Sequence, residues 1–413
     1  MPSRERNWAG NTVYRARELR TPASIDELAG IVTSQPRVRV LGSRHSFNDI
    51  ADTDGVLVSL VSLPGEPELD EPHRRVRVPG GIRYGELAPW LHERGFALAN
   101  LASLPHISVA GAVATGTHGS GERIGSLATQ IAGLELLTAD GARVRLERGD
   151  PDFDGAVVSL GALGVVTALE LDVEPAYDIA QTVFEGARWD AVLADLDTLE
   201  ASGDSVSLFT TWGDADRIDQ VWVKSRGAAP DLSVFGAVPA DGPRHPIPGI
   251  DAEPCTAQLG EPGPWFDRLP HFRLAFTPSA GAELQSEYLV PRRDAVAAVE
   301  ALRGLSSRIA PHLLVCEVRT IAADRLWLSA AYDTDAVGLH FTWRLDVPAV
   351  TVLLPEIERA LPASARPHWG KLATLDGAAV TARYPRWNDF ARLRDRLDPQ
   401  RRFGNAFLER LGL

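Results

Sequence analysis

The chain has 413 residues and a formal net charge of −13. This length is enough for two hydrophobic cores, and the negative charge argues against nucleic acid or an anionic membrane as partners, because both require a basic face. The amino terminus lacks the apolar core of a secretory signal, no apolar run is long enough to span a membrane, and the two cysteines are too few for a disulfide framework. We therefore expect a cytoplasmic monomer with no nucleic-acid or membrane partner.

Residues 36 to 175 alternate strand-like and helical runs. Short strand patterns occupy residues 37–41, 56–60, 75–78 and 163–173, helical apolar spacing covers residues 84–94, and residues 134–146 form a hairpin around Asp140-Gly141. This mixture predicts an α+β domain rather than a doubly wound parallel sheet.

Residues from about 180 to 365 have longer strand patterns separated by Pro/Gly-rich connections. Strands are predicted at residues 205–212, 220–223, 313–321 and 337–344, and a helix at residues 292–308. The pattern indicates a second domain built on one antiparallel sheet with a helix packed on it.

The stretch GSRHSFNDI, residues 42–50, follows the first of these strands. Gly42 frees the backbone and the Ser43 and Ser46 hydroxyls donate hydrogen bonds, so the loop is suited to binding an anion. A plain strand-to-helix turn is an equally open interpretation. Arg44 would cost roughly 1–2 kcal/mol if this turn required a positive φ there.

The segment SLPHISVAGAVATGTHGSGERIGS, residues 103–126, consists mainly of small residues and ends in a glycine-rich turn. Small side chains allow the main chain to approach a bulky ligand, and free N–H groups suit a diphosphate, although such helices also occur where two helices simply pack tightly. The chain has no GxGxxG, Walker or GxSxG motif, and no two histidines are three or four residues apart. These absences argue against a Rossmann cofactor, a P-loop, a hydrolase elbow and a metal site.

Charged and polar residues recur at two-residue spacing in the second half. Glu317 and Arg319 share one face of a predicted strand, and His340 and Thr342 share one face of the next. If the two strands pair, all four side chains project to the same side, and that side is either solvated or a site. Lys371 follows in His368-Trp369-Gly370-Lys371, and the only other lysine of the chain is Lys224.

These motifs together resemble a known family. The pair GSRHSFN and SLPHISVAGAVATGTHGSG is similar to the flavin domain of vanillyl-alcohol-oxidase-type proteins, and TPSAGAELQSEY (277–288), CEVRT, HFTW, RPHWGK and LDPQRRFGNAF are similar to alditol and xylitol oxidases. The resemblance implies an α+β, two-domain flavoprotein. Residues 10–178 would form the FAD-binding domain, residues 179–370 a substrate domain on an antiparallel sheet flanked by helices, and residues 371–413 a segment returning to the FAD domain.

The resemblance also implies the cofactor. FAD would be attached covalently to His45 through the 8α carbon of its ring, and an attached imidazole withdraws electrons and makes the flavin a stronger oxidant. The residues implied to bind FAD are Leu41, Gly42, Ser43, Arg44, His45, Ser46, Ser103, Ser108, Gly111, Thr115, Gly116, Thr117, His118, Gly119 and Val166. Many members have glycine in place of Arg44, so this side chain either points outward or lies along the diphosphate.

The implied reaction is oxidation of the terminal primary alcohol of an alditol, such as xylitol or sorbitol, by hydride transfer to flavin N5, with O2 reduced to H2O2. The residues implied to bind the polyol are Ser103, Glu317, Arg319, Thr342 and Lys371. Lys371, Arg319 and His340 are the implied catalytic residues. The hydroxyl proton must leave with the hydride, and either His340 or Lys371 is the candidate base.

Two alternatives stay open at this point. An aldonolactone oxidase or dehydrogenase would have the same fold and would differ in its substrate. A non-catalytic protein that only binds polyols would have no flavin, so its purified form would be colourless. A hydrolase is disfavoured because no nucleophile is placed beside a base.

Overall fold

The computed structural model describes residues 5–276 and 282–413. The first five residues of the TPSAGAELQSEY motif lie outside these ranges. The strands of the amino-terminal part are β1 Glu18–Arg20, β2 Val38–Val40, β3 Val56–Val58, β4 Glu68–Asp70, β5 Arg75–Pro79, β6 Phe96–Ala97, β7 Ile131–Leu137, β8 Arg143–Glu147, β9 Val165–Asp172 and β10 Glu174–Pro175. Its helices are α1 Ile25–Ser34, α2 Tyr84–His92, α3 Val109–Ala114 and α4 Phe153–Ala156.

The amino-terminal strands form a small parallel sheet, a larger antiparallel sheet and an antiparallel pair of β6 with β10. The parallel sheet has the order β1-β3-β2, and the antiparallel sheet has the order β4-β5-β9-β7-β8. The predicted hairpin is confirmed, because Leu137 pairs with Arg143 and Gly141 takes a φ of 84° that favours glycine. The α+β prediction for this part is therefore confirmed.

The remaining strands are β11 Asp178–Glu185, β12 Ser205–Thr210, β13 Gln220–Ser225, β14 Val238–Pro239, β15 Gly263–Pro264, β16 Glu283–Pro291, β17 Leu313–Ile321, β18 Ala336–Arg344 and β19 Arg366–Pro367. The remaining helices are α5 Trp189–Ala194, α6 Leu196–Glu200, α7 Ala295–Gly304, α8 Ser306–Ile309, α9 Val347–Ala360, α10 Gly377–Thr381, α11 Trp387–Leu397 and α12 Ala406–Arg410. The single helix predicted over residues 292–308 is wrong: a 3₁₀ turn at Arg292–Asp294 precedes α7, and Leu305 interrupts the α-helical backbone before α8.

The large sheet has the order β14-β11-β13-β12-β17-β18-β16-β19 and is antiparallel, as predicted. One face is apolar: Val318, Phe341 and Trp343 are buried together with residues of α7 and α9. Because side chains alternate along a strand, the residues between them point to the opposite face. That opposite face carries the predicted polar residues.

The carboxyl-terminal helices return to the amino-terminal half of the molecule. Val380, Phe390, Leu393 and Leu408 are buried in the same core as residues of α2 and β9. The division into residues 10–178, 179–370 and 371–413 stays a prediction in its detailed limits. Within residues 5–276 and 282–413, no helix combines the length and the apolar character needed to cross a membrane.

Candidate active site

A deep cavity lies between the two halves of the molecule. Its walls come from the GSRHSFN loop, from α3 and the residues around it, and from the polar face of β17 and β18. The predicted residues that line the cavity are Leu41, Gly42, Ser43, Arg44, His45, Ser46, Ser103, Ser108, Gly111, Thr115, Thr117, His118, Val166, Glu317, Arg319, His340, Thr342 and Lys371. The chain therefore brings both sets of predicted residues to one place.

The two glycine-containing loops meet at Ser108. Its backbone N–H donates to Ser43 Oγ at 3.2 Å. A Cβ atom added at Gly42 or at Gly111 would lie 2.5 or 2.6 Å from Ser108 Oγ, which is closer than any normal contact. The absence of side chains at both glycines thus leaves room for the Ser108 hydroxyl beside the His45 loop.

His45 lies in this wall with its ring 5.3 Å from the ring of Trp8. Burial, with a smaller effect from His106 and Arg83, lowers the pKa of His45 to about 4. The imidazole is therefore neutral near pH 7, and a neutral imidazole keeps a lone pair with which it can bond to an electrophilic carbon.

The His45 loop is tied directly to the Lys371 segment. Asn48 Nδ2 donates to the carbonyl oxygens of Trp369 and Lys371 at 2.9 and 2.8 Å. The Phe47 N–H donates to the Gly370 carbonyl at 2.7 Å. These contacts fix the loop that carries His45 relative to the amine of Lys371.

Arg44 has a left-handed backbone and an outward side chain. Its φ is 66°, and its Nη1 atom lies 2.6 Å from Glu5 Oε2 at the surface. The backbone cost anticipated from the sequence is therefore present. Of the two orientations left open, the structure has the outward one, although the residue still borders the cavity.

Gly116 and Gly119 are two predicted cofactor residues that do not line the cavity. Gly116 forms a turn with a φ of 64°. A Cβ atom at Gly119 would lie 2.4 Å from the Leu101 carbonyl oxygen and 2.5 Å from Asn100 Oδ1. Both glycines are explained by the packing of the turn itself, so their proposed contact with a cofactor has no support in the geometry.

The pairing of β17 with β18 is confirmed, with Glu317 opposite His340 and Val315 opposite Thr342. Glu317, Arg319, His340 and Thr342 are only 4–7% exposed. A solvated sheet face is therefore excluded. Burial opposes ionisation of Glu317, but Arg319 and His271 outweigh it and hold the pKa of this carboxyl far below its usual range.

Glu287, on β16, is the central residue that the sequence analysis missed. It is fully buried, and its carboxylate lies 2.5 Å from Lys371 Nζ, 3.0 Å from His118 Nε2 and 3.2 Å from Arg319 Nη2. Burial would raise the pKa of Glu287, but Lys371, His118 and Arg319 outweigh it and keep the pKa well below normal. The Glu287 carboxylate therefore neutralises part of the positive charge of Lys371 and Arg319.

His340 has a defined tautomer. Lys371 Nζ lies 2.6 Å from His340 Nδ1, and because an ammonium only donates hydrogen bonds, Nδ1 accepts this one. The proton is then on Nε2, which lies 3.2 Å from Thr342 Oγ1. Burial and the neighbouring Lys371 lower the pKa of His340 to about 4, so the ring is neutral.

Ser103 joins the two halves of the cavity. Arg319 Nη1 donates to Ser103 Oγ at 3.2 Å, and the N–H groups of His271 and Phe272 donate to the Ser103 carbonyl. The contact places the side chain of Ser103 beside Arg319, where the sequence analysis had expected a substrate-binding serine.

The cavity fits FAD on three observations. Small residues and glycines line one end, which allows close approach of a large planar ligand and its diphosphate. A neutral His45 borders the same end. At the other end, Arg319 and Lys371 supply cationic donors in a buried setting, as needed beside an oxygen that becomes negative.

Comparisons with known proteins agree with this geometry. A family described as an FAD binding domain matches residues 17–147, and the family of D-arabinono-1,4-lactone oxidase matches residues 282–411. An alditol oxidase from Streptomyces is 51% identical over 98% of both chains. An L-gulono-1,4-lactone dehydrogenase from Mycobacterium tuberculosis is 31% identical over 98% of both chains.

A solvent-stable cholesterol oxidase of known structure has the same fold, with a TM-score of 0.79, 15% identity and coverage of 100% of this chain and 97% of the other. The fold and the site thus define a two-domain, FAD-dependent oxidoreductase of the vanillyl-alcohol-oxidase type. Within that class, the chain belongs to the alditol oxidase family.

Proposed function

We propose that this protein oxidises the terminal primary alcohol of alditols such as xylitol and sorbitol to the aldose, with O2 reduced to H2O2. The observation that carries this proposal is that buried Glu317, Arg319 and Thr342, together with Lys371, line a cavity that is also lined by His45. In balance, one alcohol and one O2 give one aldehyde and one H2O2. FAD, when bound, supplies the hydride acceptor and passes the electrons to oxygen.

The FAD is attached to His45 in this proposal. Support comes from the neutral imidazole, from its place in the cavity wall and from the loop bonds that hold it still. The residues that would hold the cofactor are the lining residues on the His45 side, including Ser43, Ser108 and Gly111. Arg44 would contribute its main chain, because its guanidinium is engaged by Glu5.

The polyol hydroxyls are bound by Ser103, Glu317, Arg319 and Thr342. Glu317 accepts a hydrogen bond from a hydroxyl, and Arg319 donates to the oxygen of another. A buried site of this kind rejects analogues that lack the hydroxyls, because each unpaired group costs about 1–3 kcal/mol. Short monohydric alcohols are therefore expected to be poor substrates.

Lys371, rather than His340, is the base in this proposal. His340 has both ring nitrogens engaged, by Lys371 and by Thr342. Two of the Lys371 hydrogens point to Glu287 and His340, which leaves one tetrahedral position for the cavity. In the resting site Lys371 is the ammonium paired with Glu287. Burial lowers its pKa, which eases the loss of one proton, and the amine so formed accepts the hydroxyl proton while Arg319 stabilises the alkoxide.

An aldonolactone oxidase or dehydrogenase is the second candidate, favoured by the match of residues 282–411 to the lactone oxidase family and by the 31% identical relative. The test is to measure peroxide release and kcat/KM with xylitol, sorbitol, and gulono- and galactonolactone. We expect peroxide with the alditols and a kcat/KM at least tenfold lower with the lactones. The reverse preference would replace this proposal with the second candidate.

A further inference from the structure

Lys224 is buried and Lys371 is 13% exposed, and each of these lysines, the two in the chain, contacts a histidine through its amine. Lys371 contacts Nδ1 of His340, whereas Lys224 on β13 contacts Nδ1 of His271 at 3.1 Å. In a chain with 42 lysines and arginines, of which 40 are arginine, the contact of both lysines with histidines that border one cavity requires an explanation. Lys371 itself borders the cavity, whereas Lys224 does not.

Lys224 lies at the end of a chain of hydrogen bonds that leads to the polyol site. Its amine donates to the Leu269 carbonyl and to His271 Nδ1, and His271 Nε2 lies 2.9 Å from Glu317 Oε1. Burial lowers the pKa of Lys224 to about 7, and in its ammonium form this lysine only donates to Nδ1. The Glu317 carboxylate only accepts, so both neighbours favour the tautomer with the proton on Nε2, from which it is donated to Glu317. Lys224, His271 and Glu317 are each at most 5% exposed.

The His271 tautomer matters because the ring is neutral. Burial, with a further effect of Lys224, lowers the pKa of His271 to about 4. Near pH 7 the ring therefore carries one proton, either on Nδ1 or on Nε2. Without a donor at Nδ1, the alternative tautomer would present a lone pair to the Glu317 carboxylate, which is repulsive. A carboxylate facing a lone pair would rotate, take up a proton or lose its alignment with the substrate.

We propose that Lys224 and His271 are positioning residues for the polyol site: the lysine fixes the tautomer of His271, and His271 holds the Glu317 carboxylate ionised and oriented to accept a substrate hydroxyl. His271 itself borders the cavity beside Glu317, whereas Lys224 acts entirely through it. This inference rests on the proposed function of Glu317 in binding the polyol.

The test uses two matched pairs of variants in the flavin-loaded enzyme. In His271→Gln the amide nitrogen reaches the position of Nε2 and still donates to Glu317, whereas in His271→Asn it does not reach. In Lys224→Gln an amide donor to His271 remains, whereas Lys224→Met removes it at similar size. Steady-state kinetics are measured for each with xylitol and with a short diol that lacks the distal hydroxyls.

We expect His271→Asn and Lys224→Met to raise the KM for xylitol on the order of tenfold or more, as for loss of a charge-assisted hydrogen bond. The kcat and the kinetics with the short diol should change much less. His271→Gln and Lys224→Gln should stay within about threefold of wild type. Combining Lys224→Met with Glu317→Gln should add little to Glu317→Gln alone, because both act on one contact.

Equal losses with both substrates, or an additive effect in the double variant, would overturn the inference and indicate a purely structural role. If Lys224→Met does not fold, the His271 pair carries the same comparison. A wild-type enzyme that turns over no alditol would contradict the proposed function and the inference with it. Turnover of alditols by wild type with no difference within either pair would contradict the inference alone.

Discussion

The two ends of the cavity are lined by different kinds of chemical groups. The His45 end is lined by main chain, glycines and small hydroxyl side chains, whereas the polyol end is lined by charged side chains buried on the face of a sheet. The first end depends on close approach of backbone segments. The second depends on a balance of charges in which Glu287 and Glu317 offset Lys371 and Arg319.

The difference teaches where each end is sensitive to change. A buried charge that loses its partner is costly, so substitutions at the polyol end should produce large effects on rate and stability. Substitutions at the His45 end should act through shape, by displacing loops and reducing the amount of cofactor bound. The following predictions test this contrast, beginning with the largest expected effect.

Replacement of Lys371 should have the largest effect on rate. We expect Lys371→Met to lower kcat/KM for xylitol by about 10³-fold, since it removes the proposed base and a cation from the reacting oxygen. Lys371→Arg keeps the charge but cannot accept a proton at accessible pH, so it should be nearly as inactive. If Lys371→Arg retained more than about a tenth of the activity in steady-state assays, the role as base would be wrong.

Replacement of Glu287 should have the largest effect on stability. Glu287→Gln leaves Lys371 and Arg319 without their shared counter-charge, and we expect the free energy of unfolding to fall by about 3 kcal/mol. Glu18→Gln is the control, because it removes a carboxylate paired with Arg20 at the surface and should cost under about 1 kcal/mol. Urea unfolding measures both; similar losses in the two variants would show that the buried charges are not balanced as described.

The histidines at the polyol end should contribute a loss of stability as the pH is lowered below neutrality. The pKa values of His271 and His340 are about 4 in the folded protein against 6.5 for the free side chain, so the unfolded chain binds protons first. Their contribution is complete above pH 6.5 and is lost as the pH falls through about 4, by up to about 1.4 kcal/mol per pH unit and histidine. The depressed pKa values of Glu287 and Glu317 act in the same direction at lower pH.

This slope is measured by urea unfolding at pH values between 7 and 5. His271→Gln removes one of the titrating groups. It should therefore reduce the change in the free energy of unfolding per pH unit by the contribution of one histidine. Glu200 and Asp324, whose burial raises their pKa values to about 8 and about 6, contribute in the opposite direction over this range, so the test is the difference in slope between wild type and His271→Gln. Equal slopes in the two proteins would be inconsistent with a neutral His271.

A small change at the His45 end should affect cofactor content more than rate per flavin. In Gly42→Ala, the new methyl group would contact Ser108 Oγ, which has to rotate, so we expect a modest loss of bound flavin with nearly normal turnover per flavin. Gly30→Ala, where an added Cβ meets nothing within 4 Å, is the matched control. The ratio of flavin to protein absorbance measures the loss of flavin. A lower kcat with full flavin content would contradict the predicted difference between the two ends of the cavity.

The contrast also explains what could be predicted from the sequence. Most of the His45 end is formed by two continuous segments, the loop at residues 42–50 and the small-residue segment at residues 103–126. Each segment has a motif that can be recognised from the sequence alone. Glu317, Arg319, His340 and Thr342 were found because two-residue spacing places side chains on one face of a strand. The α+β architecture followed in the same way from local patterns.

Glu287 and His271 were missed because nothing local marks them. Glu287 reaches the site only through the register of β16 with β18, in which it pairs with His340. His271 lies in a Pro/Gly-rich connection without periodicity and meets Glu317 by tertiary folding alone. One signal was available: the chain has only two lysines, Lys224 and Lys371, and both make hydrogen bonds within this network.

We propose that a flavin bonded to His45 faces the charged residues of the sheet. Mass spectrometry of the proteolysed, acid-denatured enzyme tests it most directly. We predict that the peptide containing His45 carries the added mass of the flavin, and that the modification is absent in His45→Ala. An unmodified His45 peptide with all yellow pigment released into the supernatant would contradict the account.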